Sequence, residues 1–368
     1  MKRLSLLIKP ASSLCNMRCS YCFYHDIGGH RRTRSYGIMK NETMIRIIDS
    51  VFADLDDRDD LTVAFQGGEP TLAGLNWFED FVSYTASLTR KVKIQYALQT
   101  NGLLLDDLWA EFLVKHHFLV GLSIDANAKV HDKNRSGPDG EGTFQACLKS
   151  KALLEKHGVE YNILCVLTNE LGGMPGKVWN FILNEKIRYI QFIPCLGGLD
   201  ENEEPPFALR PARFANFYIR LYSLWVKELE KGSYISVKFF DDTANYFFRN
   251  LPSACGIDGV CRSQYVVESD GSVYPCDFFV LDRYNSGNLA EKTPQELFYS
   301  EKMQAFISEE QELPGICLSC PYRDRCGGGC KRMRNAVYYG SGASFCGYKK
   351  FLDTCLESLE YTVKKHFP

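Results

Sequence analysis

A chain of 368 residues, 45% of them apolar, can bury a large core, either as two to three domain-sized units or as one large α/β barrel with an appendage. Its formal net charge of −2 argues against a nucleic-acid or anionic-membrane partner, and no apolar run approaches the roughly 20 residues of a membrane span. The opening MKRLSLLIKPASS has only LSLLI after its basic residues, too short for a signal-peptide apolar region, so it reads as the first strand of a cytoplasmic protein.

In chain order, the predicted strands are LSLLIKP (4–10), LTVAFQGG (61–68), KIQYALQTNG (93–102), FLVGLSIDA (118–126), EYNILCVLT (160–168) and YIQFIPCL (189–196). Amphipathic helical patterns lie between them at 40–56, 75–90, 106–116, 144–157 and 175–186. Strand, helix, strand repeated predicts parallel βαβ units, so the fold class is α/β, as a partial (β/α)6 TIM-like barrel or an open sheet. In either, function collects at the C-terminal ends of the strands. Three cysteines follow the first strand, GGEP the second, QTNG the third and SID the fourth. The acidic, Pro/Gly-rich GGLDENEEPPFALRP (197–211) reads as a loop before a helix at 212–231. From about 240 the periodicity weakens and Cys and Gly become dense. VVESDGSVYPCDFFV (266–280) reads as a hairpin turning at Asp270-Gly271, and a final helix covers about 345–366.

Fifteen cysteines is a high count for a cytoplasmic chain, where disulfides are rare, so metal or redox chemistry is the default explanation. Cys147, Cys165, Cys195 and Cys355 are scattered and read as small core hydrophobes. Cys15, Cys19 and Cys22 form C-x3-C-x2-C. A cubane [4Fe–4S] cluster takes four thiolates, so three leave one iron open, as catalytic metal sites require. A zinc knuckle completed by His25 is the plainer alternative. The second group is Cys255, Cys261, Cys276, Cys317, Cys320, Cys326, Cys330 and Cys346, and its eight thiolates match two fully ligated clusters or two zinc sites.

The C-x3-C-x2-C spacing, with the aromatic Tyr21 before its last cysteine, resembles the radical S-adenosylmethionine superfamily, and GGEP at 67–70 strengthens the likeness. The resemblance implies that the open iron chelates S-adenosylmethionine, whose reductive cleavage yields a 5′-deoxyadenosyl radical. It further implies that Gly68 holds the methionine amino end, Ser123 touches the ribose, Arg135 clamps the carboxylate, and Leu196 contacts the adenine region. Arg135 suits that role physically, because guanidinium–carboxylate pairing is strong and oriented. The plainer readings are a surface salt bridge for Arg135 and a strand-end serine for Ser123. The family's SxDG is SIDA here, and Ala126 in place of glycine matters if that position needs a positive φ.

The downstream cysteines resemble the SPASM extension of radical peptide maturases. That likeness implies a first auxiliary cluster on Cys255, Cys261, Cys276 and Cys330, and a second on Cys317, Cys320, Cys326 and Cys346. With the trio this makes three [4Fe–4S] clusters. It divides the chain into a radical S-adenosylmethionine part (1–235), a SPASM part (236–346) and a C-terminal helix (347–368). LLIKPASSLCN (6–16), CFYHDI (22–27), SYGIM (35–39), FQGGEPTLAGL (65–75), LQTNG (98–102), NILCV (162–166) and VVESDGSVYPCDFFVLD (266–282) together resemble the anaerobic sulfatase-maturating enzymes.

Those enzymes oxidise a Cys or Ser of a sulfatase to Cα-formylglycine. Loss of a Cβ hydrogen atom, one electron and the thiol proton calls for an electron acceptor and a base. The resemblance assigns the acceptor role to the auxiliary clusters and the base to Asp277, directly after Cys276; a turn or salt-bridge carboxylate is the plainer reading. Asp270 reads as a turn residue. Tyr24, Phe278 and Phe279 read as core packing or as the peptide channel. The implied partners are an extended C/S-x-P-x-R-type sulfatase polypeptide and an electron donor such as flavodoxin or ferredoxin. The competing readings are another radical peptide maturase that forms a thioether or cross-link or epimerises a residue, an iron–sulfur electron-transfer protein, and a zinc-stabilised interaction module.

Overall fold

The computed structural model describes residues 2–199, 205–310, 312–340 and 344–367. Residues 200–204, within the loop expected at 197–211, lie outside them. The chain divides into two compact units: Met1–Ser123, Arg135–Tyr161 and Ser263–Glu309 form the first, and Ile124–Asn134, Asn162–Arg262 and Glu310–Pro368 the second.

The strands are β1 (Arg3–Ile8), β2 (Asp60–Phe65), β3 (Lys93–Thr100), β4 (Leu119–Ser123), β5 (Tyr161–Leu167), β6 (Tyr189–Pro194), β7 (Ser236–Val237), β8 (Val266–Val267) and β9 (Val273–Tyr274). In the first unit β1 to β4 pair in parallel in sequence order, β8 joins β1 in parallel, and β9 turns back antiparallel on β8. Alternation drives these strands: Leu61, Val63 and Phe65 of β2 point into the core. Helix Asn41–Asp54 buries Met44, Ile47, Ile48, Val51 and Phe52, the one-sided spacing of an amphipathic helix. Phe65 packs edge-on against Trp77, Phe78 and Phe81, which pins helix Leu75–Ser87 to β2.

Register positions the site. Ile8 is level with Phe65 of β2 and with Val267 of β8. The next residue of each strand therefore sits at one strand-end row: Lys9 in the middle, Gln66 on one side and Glu268 on the other. The backbone continues the ladder there, with Gln66 N–H donating to Ile8 O (3.0 Å) and Lys9 N–H to Val267 O (2.8 Å).

In the second unit β5, β6 and β7 pair in parallel. Helices Pro211–Glu230 and Gly347–His366 pack together, with Tyr218, Phe239, Phe240 and Phe351 forming an aromatic core between them and helix Lys238–Arg249.

All six expected strands are present, but most end two or three residues early, where the chain leaves the ladder for the functional loops. The hairpin differs from expectation. Gly271 N–H bonds Glu268 O and Glu268 N–H bonds Ser272 O (both 2.9 Å), so Ser269 and Asp270 are the central turn residues. Gly271 follows them with φ +89°, the position that needs glycine. Asp270 is a turn residue as expected, accepting from Ser272 N–H (3.0 Å) and Ser272 Oγ (2.8 Å). Helix Lys238–Arg249 was not expected, because Asp242 and Thr243 break its apolar stripe.

Candidate active site and cluster-binding cysteines

The loop after β1 carries the trio. Ser12 turns it with φ +49°, and Cys22 ends it as the N-cap of helix Phe23–Gly29. Cys22 N–H bonds Cys19 O (3.2 Å), while Met17 N–H and Asn101 Nδ2 approach Cys15 Sγ at 3.4 and 4.0 Å. Desolvation pushes the Cys15 thiol up to about 12 despite the Met17 bond, with the charges of Glu69, Cys19 and Cys22 adding to it. Three thiols on one short loop are the donor chemistry that iron–sulfur clusters take. This donor set fits a three-thiolate cluster site.

The GGE segment rests backbone to backbone on that loop. Gly68 N–H donates to Ser12 O (2.9 Å) and Glu69 N–H to Leu14 O (2.7 Å). A Cβ on Gly68 would lie 2.0 Å from Leu14 O, so only glycine fits. Glu69 is buried and accepts from Thr71 N–H (3.1 Å), Thr71 Oγ1 (2.6 Å), Thr100 Oγ1 (2.7 Å) and Asn101 N–H (2.8 Å). Burial raises its carboxyl above the glutamate range despite these donors. GGEP and QTNG are thereby one construction. The Arg135 guanidinium sits 5.5 Å from the Tyr21 ring centroid, and Ser123 is buried at the end of β4.

Asp277 is 6% exposed and lies in the first unit. Tyr24 Oη donates to its Oδ2 (2.7 Å), as does Gln66 Nε2 (2.9 Å), which also donates to Tyr24 Oη (2.5 Å). Lys9 Nζ pairs with Oδ1 at 2.9 Å and lies 4.6 Å from the Tyr24 ring centroid. Burial and then the Asp277 charge push the Tyr24 phenol well up, so it stays a donor. Behind Lys9 lies Glu268, 1% exposed, with Lys9 Nζ at 3.8 Å, Arg31 Nη1 at 2.7 Å and Ser12 Oγ at 2.6 Å. Sequence reasoning missed Lys9, Gln66, Glu268, Arg31 and the Tyr24 bond; polar residues directly after apolar strands were the available signal. Phe278 packs near Phe23 and Phe279 near Phe306, and both are half-buried.

In the second unit Cys317, Cys320, Cys326 and Cys346 line one cavity with Tyr322, Tyr338 and Tyr348. Burial, then Cys346, pushes the Cys326 thiol up to about 12. Cys255 rises to about 11 by burial and then through Cys330 and Cys261. A Cβ on Gly256 would meet Cys330 Cβ at 2.8 Å, so the two loops touch. Cys276 belongs to the first unit. Among the described residues no three His, Cys, Asp or Glu side chains converge as a single-ion site. Leu196, also in the second unit, lines a small cavity with Gly197, Leu209 and Arg332. Ala126 is not among the positive-φ residues, so the missing glycine of SxDG costs nothing here.

Residues 10–171 match the Radical SAM superfamily profile, and residues 255–321 match SPASM, an iron-sulfur cluster-binding domain. The cysteine-type anaerobic sulfatase-maturating enzyme of Clostridium novyi (strain NT) is 38% identical over 369 residues, covering 99% of this chain and 98% of the relative. The chain belongs to the anaerobic sulfatase-maturating enzymes. The cysteine-type member from Clostridium perfringens (strain 13 / Type A) is 40% identical over 338 residues, covering 91% of each. The solved structure of native anSMEcpe with bound AdoMet and Kp18Cys peptide superposes with a TM-score of 0.90 at 37% identity, covering 99% of both chains. As a family member the protein is a radical S-adenosylmethionine enzyme of α/β fold with a parallel sheet, a following SPASM domain and a C-terminal helix. Its cofactors are S-adenosylmethionine and [4Fe–4S] clusters. Among the described residues no helix is long and apolar enough to cross a membrane.

Proposed function

We propose that this enzyme oxidises a cysteine of a sulfatase polypeptide to Cα-formylglycine in the cytoplasm, drawing electrons from a flavodoxin- or ferredoxin-type donor. The supporting observation is the buried Asp277, next to Cys276 in sequence and bound by Tyr24, Gln66 and Lys9. When bound, S-adenosylmethionine and the three clusters supply hydrogen-atom abstraction and an electron sink. The chain's own residues handle the remaining steps. Asp277 receives the thiol proton on its carboxylate, and Tyr24 and Gln66 fix the carboxylate's plane. The peptide thereby loses one hydrogen atom, one proton and one electron to become a thioaldehyde, and water then replaces the sulfur, which leaves as hydrogen sulfide, to give the aldehyde.

In this reading Cys15, Cys19 and Cys22 hold the cluster that meets S-adenosylmethionine. Tyr21, Gly68, Ser123, Arg135 and Leu196 hold the S-adenosylmethionine molecule. The remaining eight ligands are Cys255, Cys261, Cys276, Cys317, Cys320, Cys326, Cys330 and Cys346. The parts run 1–235, 236–346 and 347–368. The cysteine preference follows the two cysteine-type relatives.

The test is anaerobic: reconstitute with iron and sulfide, add reductant and S-adenosylmethionine, and offer a C-x-P-x-R peptide. A hydrazide-trapped aldehyde at the cysteine is the expected product. 5′-Deoxyadenosine with an unchanged peptide would point to another peptide substrate, and a thioether would mean a different maturase.

A further inference from the structure

One buried charge network in the first unit runs behind the proposed base, and its members Glu268 and Arg31 have no part in the chemistry above. Lys9 Nζ pairs with both Asp277 and Glu268, and Arg31 pairs with Glu268 from the other side. Glu268 also reaches outside the network: its Oε2 accepts the Ser12 hydroxyl at 2.6 Å, in a fully buried contact. Burial alone would raise the Glu268 carboxyl, but the Lys9 and Arg31 charges and the Ser12 and Arg31 hydrogen bonds outweigh it and hold it below the glutamate range. Glu268 is thus a fixed anionic acceptor for Ser12.

Ser12 is in the left-handed region at φ +49°, which costs a side-chain-bearing residue conformational energy and persists only where the surroundings impose it. Its hydroxyl is held from two sides, donating to Glu268 and accepting from Tyr36 N–H at 3.2 Å. The turn directs the Ser12 carbonyl to Gly68 N–H at 2.9 Å and brings Leu14 O to Glu69 N–H at 2.7 Å. If Ser12 relaxed to negative φ, its carbonyl would swing away and the GGE segment would lose its seat.

We infer that Glu268 is a positioning residue for the S-adenosylmethionine site: it clamps Ser12 in a left-handed turn on which Gly68 rests. This inference rests on the proposed role of Gly68. Glu268 touches no cofactor atom in this account and acts only through the turn.

A clamp on backbone conformation has a signature that packing or charge alone lacks: glycine should replace serine better than alanine does, because glycine adopts positive φ freely. S-Adenosylmethionine affinity would be measured by anaerobic equilibrium dialysis on the reconstituted holoenzyme, with iron per chain measured alongside. Ser12→Ala should weaken binding about tenfold, the weight of a hydrogen bond to a charged group. Ser12→Gly should stay within about twofold of the unaltered chain, since glycine needs no clamp. Glu268→Gln should weaken binding as Ser12→Ala does, and adding Ser12→Gly should restore most of the loss. If Glu268→Gln fails to fold, the two Ser12 variants decide the matter alone. Ser12→Ala binding like the unaltered chain, or Ser12→Gly as weak as Ser12→Ala, would overturn the clamp while leaving the role of Gly68 intact. An unaltered, iron-loaded chain that binds no S-adenosylmethionine would overturn both.

Discussion

Tyr24 donates its hydroxyl to Asp277 Oδ2 across 2.7 Å, tying the helix that starts at the cysteine trio to the residue that follows Cys276. Gln66 bonds both partners and Lys9 pairs with the other carboxylate oxygen, so a side chain that is 6% exposed is held in one orientation. Asp277→Asn keeps the shape but removes the proton acceptor. It should lower aldehyde formation by about 10²–10⁴-fold, the weight of a general base, with 5′-deoxyadenosine still produced. Chromatography of both products checks this; unchanged aldehyde yield would remove Asp277 from the mechanism.

Gly68→Ala places a Cβ 2.0 Å from Leu14 O, a backbone atom that cannot rotate aside. The GGE segment must then lift off the cysteine loop. The expected result is lost S-adenosylmethionine binding with iron content retained, read by dialysis and iron assay together.

Glu268 gives a pH dependence with a definite sign. Its folded-state carboxyl lies below its ordinary value, so the stability it contributes is present above the unfolded value of about 4.3 and is lost as pH falls through the folded one. Urea midpoints of the unaltered chain should therefore drop between neutral pH and the acid range more than those of Glu268→Gln. Equal drops would show that Glu268 titrates alike in both states.

Replacing Cys15, Cys19 and Cys22 together with Ala should leave about eight irons per chain, two clusters' worth. Cys147 is fully buried and its thiol donates to Asn101 O at 3.4 Å, so Cys147→Ser should behave as a core change and leave iron untouched. Iron analysis of both variants checks the ligand set; iron lost from the Cys147 variant would mean the set is incomplete.

The βα succession was legible in the sequence because it is local: alternation marks a strand. GGEP was legible too, since Gly68 has no room for any side chain. Lys9, Gln66 and Glu268 were not, because what unites them is the register of β1 with β2 and β8, and Ser12 and Glu268 stand 256 residues apart. Helix Lys238–Arg249 escaped for a related reason. Its buried Asp242 is satisfied by Lys238 (2.8 Å) and by Ser253 (2.7 Å), a remote partner that no hydrophobic period reveals.

The central claim is hydrogen abstraction from Cβ of a peptide cysteine, and isotope transfer tests it most directly. The reconstituted enzyme would be given S-adenosylmethionine and a C-x-P-x-R peptide whose cysteine carries deuterium only at Cβ. The account predicts deuterium in the 5′-deoxyadenosine and an aldehyde at that cysteine. Unlabelled 5′-deoxyadenosine from the Cβ-deuterated peptide, with label arriving only when Cα is deuterated instead, would contradict it.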